Sequence, residues 1–172
     1  MIVSPKRNLV TGGLLAFLVV LADQATKEWA LATLFRDGAL VEVTPFFNLV
    51  AVWNRGVSFG LLASDNPMTP YYLSGFAVAV VIGLTVWLAR APSQLLRISL
   101  GLIIGGAIGN VIDRLRYNAV VDFIDWHVFG YHWPAFNLAD SAISVGVVFL
   151  LFDSFLGDSE RSDTQISKGS GE

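Results

Sequence analysis

Two aspartates near the C-terminal end of the chain interrupt apolar sequence. Asp122 lies within Val120–Ile124, and Asp140 lies within Phe136–Ile143. A carboxylate costs roughly 3 kcal/mol near the centre of a bilayer, so acids in membrane-embedded sequence call for a functional or pairing explanation. Two carboxylates that approach closely can share one proton, so that one acts as a base on water while the other acts as an acid. The pair therefore predicts acid–base hydrolysis.

Some of the charged positions also have a simpler interpretation. Asn137 can be the N-cap of a helix whose third residue is Asp140, which places this acid at the positive end of the helix dipole. That interpretation does not cover Asp122. Asp23 and Lys27 stand four residues apart, so they share a helix face and can pair. For Asp23 we favour structural pairing over catalysis.

The sequence lacks the motifs that other catalytic chemistries require. The chain contains no cysteine, no H-E-x-x-H zinc motif, no G-x-S-x-G nucleophile motif and no phosphate-binding glycine loop. His127 and His132 lie in an aromatic loop between the two acids, but a third metal ligand and a metal-site spacing are missing. We therefore favour interfacial packing for the two histidines, and we expect no metal and no cofactor.

Composition indicates a membrane protein. Of 172 residues, 54% are hydrophobic and 15% are charged, which is too apolar for a soluble domain of this size. The net charge of −3 and the scattered basic residues indicate no nucleic-acid partner. The sequence thus predicts an all-α polytopic protein with one membrane domain over residues 1–157.

Four apolar stretches are long enough to cross a hydrocarbon layer of about 30 Å. The first follows Lys6 and Arg7 like a signal peptide, but its hydrophobicity continues to Phe35, which suits a retained helix. The predicted spans are about residues 9–35, 71–89, 98–116 and 137–155.

The segments outside the predicted spans differ in character. Residues 36–68 contain β-branched and aromatic runs separated by Pro45, which predicts a small hairpin or cradle of strands outside the membrane. At its far end, 54–60 carries turn residues and two glycines, and an ordinary turn is the simpler interpretation. Residues 158–172 are polar and predict a disordered tail.

The third predicted helix carries a glycine stripe. Gly101, Gly105 and Gly109 recur at every fourth position and lie on one face, where they allow close approach of a neighbouring helix. Asp113 and Arg114 follow near its end, where the simplest interpretation is a pair of interfacial charges.

Four spans place both termini on one side of the membrane, and place the cradle, Asp122 and Asp140 on the other. The two sides differ modestly in basic residues. The terminal side carries Lys6, Arg7, Arg90, Arg97, Arg161 and Lys168, and the opposite side carries Arg36, Arg55, Arg114 and Arg116. Under the positive-inside rule this favours cytoplasmic termini and an outward-facing acid pair.

Together these segments resemble a known family. The chain is similar to bacterial lipoprotein signal peptidases, also called signal peptidase II, over almost its whole length before the tail. No single motif would be specific, but five occur in the family's order. They are Asp23-Gln24 with Lys27, Asn54-x-Gly56-x-Ser58-Phe59, Gly105-Gly106-x-x-Gly109-Asn110-x-x-Asp113-Arg114, Val121-Asp122-Phe123, and Phe136-Asn137-x-Ala139-Asp140-Ser141.

The resemblance implies an aspartyl endopeptidase of the bacterial inner membrane, with four helices and an extracytoplasmic β-cradle. It implies that the enzyme removes the signal peptide of diacylglyceryl-modified prolipoproteins, on the N-terminal side of the lipidated cysteine. By position, Asp122 and Asp140 match the catalytic dyad. The matching supporting positions are Asp23, Asn54, Gly56, Asn110, Arg114 and Asn137. Expected partners are the substrate and membrane lipid, with the chain itself a monomer.

Two other classes stay open on the residues alone. A proton-coupled carrier also buries acids between helices, but such carriers usually show paired repeats and broken spans, and no convincing internal repeat occurs here. A structural membrane subunit would need no second acid. Flux in proteoliposomes would identify the carrier, and lost assembly without lost turnover would favour the subunit.

Topology is the first testable prediction. Because the chain lacks cysteine, a single cysteine introduced at Ser64 reports its own side of the membrane. We expect a membrane-impermeant thiol reagent to label this cysteine in intact inner-membrane vesicles whose extracytoplasmic face points outward. Labelling only after permeabilisation would reverse the assigned orientation.

Overall fold

Four long helices form the body of the protein. The computed structural model describes residues 4–38, 40–56 and 66–169, with side chains except at residues 37 and 157–169. The helices are α1 (Pro5–Asp37), α2 (Thr69–Ala89), α3 (Gln94–Tyr117) and α4 (Leu138–Gly169). Each contains a segment long and apolar enough to cross a membrane. The prediction of four long apolar helices is therefore confirmed.

Local capping explains most of the differences in helix ends. Gly38 ends α1 with a φ of 61°, a left-handed conformation that glycine adopts without strain. The Ser93 side chain accepts a hydrogen bond from the Leu96 N–H and starts α3 earlier than expected. α4 runs to Gly169, well past the expected end near residue 155. Disorder of residues 158–172 stays a prediction, and 170–172 lie outside the described residues.

A four-stranded antiparallel sheet covers one end of the helices. Its strands are β1 (Val41–Thr44), β2 (Phe47–Asn54), β3 (Val120–Val128) and β4 (Tyr131–His132), in that order across the sheet. The predicted hairpin of residues 36–68 is confirmed as β1 and β2. Val57, Ser58, Phe59 and Gly60 of the predicted turn motif lie outside the described residues.

The sequence interpretation missed half of this sheet. It assigned an aromatic loop after Ile124, whereas β3 continues to Val128 and pairs with β2, with Asn54 opposite Val120 and Asn48 opposite Asp125. The first four residues of β3 are all buried, so the strand shows no alternation of polar and apolar residues. Its pairing partner lies some seventy residues earlier in the chain, which no local pattern reveals.

α3 is the central helix and packs against the other three. The predicted glycine stripe explains how α1 comes so close to α3. A Cβ atom on Gly101 would lie 2.8 Å from the Gly12 carbonyl oxygen, and one on Gly105 would lie 2.7 Å from the Ala16 carbonyl oxygen. Gly109 instead faces the Asp23 carboxylate. Helix packing is therefore confirmed for the first two glycines, while Gly109 makes room for a polar side chain.

The structure predicts that Gly105→Leu destabilises the protein. The new side chain would push against the backbone of α1, so we expect the unfolding free energy to fall by about 1–3 kcal/mol, seen as a lower thermal midpoint in detergent. Gly83→Leu is the matched control, because a Cβ atom there meets nothing within 4 Å. Equal midpoints for the two variants would show that the close contact between α1 and α3 does not stabilise the fold.

Candidate active site

Asp122 is buried among polar side chains. It lies on β3, is only 1% exposed, and both of its carboxylate oxygens accept hydrogen bonds from side-chain amides. Asn54 Nδ2 donates to Oδ2 at 2.9 Å, and Asn137 Nδ2 donates to Oδ1 at 2.7 Å. Burial, together with the nearby charge of Asp140, raises the pKa of Asp122 to about 7, although the two amides oppose the shift. The group is thus poised to exchange a proton near neutral pH.

Asp140 lies in the first turn of α4, where its predicted geometry with Asn137 is confirmed. The Asp140 N–H donates to Asn137 Oδ1 at 2.9 Å, and the Asn137 N–H donates to Asp140 Oδ2 at 3.2 Å, which is a reciprocal capping arrangement. Capping uses only one carboxylate oxygen. The other, Oδ1, accepts a hydrogen bond of 2.8 Å from Asn110 Nδ2. Asp140 is therefore more than a helix-start acid.

Two asparagines connect the two acids. The Asn137 amide nitrogen that contacts Asp122 also lies 3.2 Å from Asn110 Oδ1, and Asn110 in turn donates to Asp140. A chain of hydrogen bonds thus runs from Asp122 through Asn137 and Asn110 to Asp140. The structure brings together the acids that the sequence placed in two separate segments.

A small cavity of about 150 Å³ opens beside these groups, between α2, α3 and α4. Asn54, Asn110, Arg114 and Asp140 supply its polar lining. Arg114 is partly buried, and its Nη2 donates to the Gly56 carbonyl oxygen at 3.1 Å. The Gly56 N–H donates to Asn54 Oδ1 at 3.0 Å, which turns the Asn54 amide nitrogen toward Asp122. Every predicted supporting residue except Asp23 therefore lies at the cavity or touches a residue that lines it.

Asp23 belongs to a buried charge cluster behind the cavity. Lys27 Nζ lies 2.9 Å from a carboxylate oxygen of Asp23 and 2.9 Å from one of Asp113, and all three side chains are at most 2% exposed. The predicted pairing of Asp23 with Lys27 is confirmed. The interpretation of Asp113 as an interfacial charge was wrong, because the side chain is buried and paired.

The charge cluster contacts the backbone immediately before each candidate acid. Asp113 Oδ2 accepts a hydrogen bond of 3.1 Å from the Val121 N–H, and Asp23 Oδ1 accepts one of 3.0 Å from the Ala139 N–H. Lys27 also donates to Asn110 Oδ1 at 3.0 Å, which leaves the Asn110 amide nitrogen directed at Asp140. Asp113 stands three residues after Asn110 on α3, and this spacing was the one sequence signal that it shares a helix face with the site.

The two histidines lie away from the cavity. His132 Nδ1 is 2.9 Å from Asp125 Oδ2, and its ring stacks on His127 with centroids 4.9 Å apart. Burial acts against ionisation of Asp125, but the hydrogen bonds from His132 and Asn48 prevail and hold its pKa below the usual range. No group of three or more metal-ligating side chains occurs in the described part of the chain.

Geometry and chemistry together define a class of protein. Four spanning helices and a sheet hold two carboxylates that are linked by amides and differ in environment: Asp122 is buried, whereas Asp140 is partly buried and lines the cavity. This arrangement suits shared-proton activation of water. This is the constellation of a membrane-embedded aspartic peptidase.

The comparisons with known proteins identify the family. The family model described as Signal peptidase (SPase) II matches residues 15–156. A lipoprotein signal peptidase of Rhodopseudomonas palustris (strain TIE-1) is 49% identical over 152 residues, which cover 84% of this chain and 92% of that protein. One from Burkholderia thailandensis is 47% identical over 140 residues, or 81% of this chain and 84% of that protein. The chain belongs to the signal peptidase II family, and it is a multi-pass membrane protein.

A solved structure shows the same fold. A bacterial membrane enzyme determined by the in meso method at 2.3 Å resolution superposes with a TM-score of 0.76 and is 32% identical in sequence. The match covers 89% of this chain and 92% of that one. The helices and the sheet described above are therefore shared with an experimentally determined relative.

The charge cluster predicts a strong dependence of stability on Lys27. Replacing it with methionine leaves two buried carboxylates without their cation, so we expect a loss of about 3–5 kcal/mol in unfolding free energy. The control is Arg116→Met, which breaks an exposed pair with Glu28 and should change little. Denaturation of the two purified variants in the same detergent measures the difference. Similar stabilities would contradict the role given to the buried cluster.

Proposed function

We propose that Asp122 and Asp140 are the catalytic dyad of a lipoprotein signal peptidase. The observation that carries the proposal is the hydrogen-bond chain through Asn137 and Asn110, which makes one unit of two acids from separate segments. The raised pKa of Asp122, about 7, supports a pair that keeps one proton at neutral pH.

The proposed reaction follows from a pair of acids that holds one proton. The ionised carboxylate takes a proton from a water molecule, and the water oxygen attacks the scissile carbonyl carbon. The protonated carboxyl group then gives its proton to the leaving amide nitrogen as the C–N bond breaks. The dyad ends with one proton, as it began, so no cofactor is consumed.

The supporting residues have distinct tasks in this mechanism. Asn54 and Asn137 hold the Asp122 carboxylate through one oxygen each, and Gly56 fixes the Asn54 amide. Asn110 holds Asp140. Arg114 places a positive charge at the cavity, where negative charge develops on the attacked carbonyl oxygen. Asp23 acts at a distance through the Ala139 backbone.

The proposed substrate is a prolipoprotein whose cysteine already carries diacylglycerol. Cleavage on the N-terminal side of that cysteine releases the signal peptide at the outer face of the inner membrane, by a monomeric enzyme with cytoplasmic termini. The names of the relatives support the substrate class, and the loop charges support the orientation. Labelling at Ser64 tests the orientation independently of activity.

Amide substitution of the dyad tests the mechanism. Asp122→Asn and Asp140→Asn preserve shape, but neither amide can accept the proton of water or return one to the leaving amine. We expect each variant to lower the single-turnover rate on a diacylated prolipoprotein by at least about 10⁴-fold while circular dichroism stays normal. The double variant should be scarcely slower than either single one, because members of one catalytic unit are not additive.

The control for this experiment is Asp125→Asn, the same change on the same strand outside the cavity. It should retain substantial turnover. Asp113→Asn is less informative, because Asp113 belongs to the buried charge cluster. A cleavage rate near that of the wild type in either dyad variant would contradict the aspartyl mechanism. Loss of wild-type activity on adding 1,10-phenanthroline would point instead to a metal on the histidines.

A further inference from the structure

Arg97 is a buried cation at the end of the helices opposite the candidate active site. It lies at the end of the first turn of α3, and about 20 Å of helix separates it from Asn110, at a rise of about 1.5 Å per residue. The residue is only 8% exposed. Arg97 is therefore remote from the dyad and takes no part in the proposed reaction.

The Arg97 guanidinium group makes few contacts within the protein. Its Nη1 donates to Asn8 Oδ1 at 3.4 Å, which is long for a charge-assisted hydrogen bond. The Asn8 amide nitrogen donates to the carbonyl oxygens of Ala91 at 2.9 Å and Ala89 at 3.3 Å, which leaves Oδ1 directed at Arg97. A guanidinium group carries five N–H donors. Most of these donors therefore have no acceptor among the described residues.

The charge of Arg97 also lacks a counter-charge in the described part of the chain. Lys27, the other buried cation there, lies 2.9 Å from each of two carboxylates. The ion pairs of the described residues do not include Arg97. Asp153 is an acid at the same end of the bundle, but it accepts a hydrogen bond from Ser93 Oγ instead. Since an uncompensated buried charge is strongly destabilising, an anion from outside the protein would stabilise this site.

The surroundings of Arg97 are basic. Lys6 and Arg7 are exposed in the first turn of α1, and Arg90 is exposed directly after α2. Neither α1 nor α3 has an acidic residue in its first turn. The positive ends of both helix dipoles therefore face this side without a nearby acid of their own. Charge and dipoles together favour the binding of an anion at this end of the bundle.

We propose that Arg97 binds the phosphate group of an anionic phospholipid. The spanning segment of α3 begins at Gln94, so Arg97 lies near the level of the lipid head groups. A guanidinium group offers parallel N–H donors that match two phosphate oxygens. Next to the basic first turn of α1, Leu9 and Val10 are exposed and apolar, as contact with the acyl chains of the same lipid requires. A lipid phosphate, rather than free phosphate, therefore fits this combination of charged and apolar surface.

Removal of the buried charge tests the proposal. Arg97→Gln removes the charge and keeps a side-chain amide that can donate to Asn8. Arg90→Gln is the matched control, with the same loss of charge at an exposed position at the same end. The purified, delipidated protein in neutral detergent is titrated with phosphatidylglycerol or phosphatidylcholine at equal mole fractions and fixed ionic strength. A ligand that binds only the folded protein raises its thermal midpoint, so each titration yields an apparent Kd.

Phosphatidylglycerol should raise the wild-type midpoint more than phosphatidylcholine does. We expect Arg97→Gln to weaken phosphatidylglycerol binding at least about tenfold, since a hydrogen bond to a charged group is lost. Arg90→Gln should weaken it no more than about fivefold, the effect of one basic residue near an anionic surface. Equal losses in the two variants would overturn the proposal, because binding would then depend on net charge alone.

Stability without lipid distinguishes a lipid ligand from a purely structural arginine. In lipid-free neutral detergent the wild type keeps an uncompensated buried charge, so the midpoint of Arg97→Gln should equal or exceed that of the wild type. A midpoint lowered by the same amount with and without phosphatidylglycerol would overturn the proposal, because Arg97 would then act only through Asn8. A rise with inorganic phosphate equal to that with phosphatidylglycerol would identify a free-anion site and refute the lipid. None of these measurements depends on cleavage.

Discussion

One buried ammonium group between two carboxylates determines where the candidate dyad lies. Lys27 pairs with Asp23 on its own helix and with Asp113 on α3, so it ties two helices together inside the membrane domain. The same two acids also accept the N–H groups of Val121 and Ala139, Asp113 through the oxygen that pairs with Lys27 and Asp23 through its other oxygen. Val121 and Ala139 directly precede Asp122 and Asp140. The positions of a strand and of a helix start, and hence of both candidate acids, therefore depend on one charge cluster.

Close helix packing makes the cluster possible. Three acids, one lysine and several amides can share a water-poor interior only if the helices approach closely enough to satisfy every group. Gly101 and Gly105 let α1 contact the backbone of α3, and Gly109 leaves the space that the Asp23 carboxylate fills. The glycine stripe is thus the apolar part of the interface between α1 and α3, and the charge cluster is its polar part.

The sequence predicted the features that depend on local composition. Long apolar runs predicted the four long helices. The i,i+4 spacing predicted the Asp23–Lys27 pair, and the Asn137 and Asp140 positions predicted the capped start of α4. The burial of Asp113 and the strand that carries Asp122 depend instead on pairing between distant segments, β2 with β3 and α1 with α3. No local pattern distinguishes a buried paired acid at a helix end from an interfacial one. The motif order of the family, rather than periodicity, pointed to the supporting asparagines.

The central claim is that Asp122 and Asp140 share one proton in the active enzyme. Because burial and the neighbouring carboxylate raise the pKa of Asp122 to about 7, the pair loses its last proton above that pH and has no acid for the leaving amine. The most direct measurement is the single-turnover rate of cleavage of a diacylated prolipoprotein between pH 5 and pH 9, at fixed detergent and ionic strength. The account predicts a rate that falls on the alkaline side with a midpoint at about pH 7. A rate that stays constant or rises through pH 9 would contradict the shared proton.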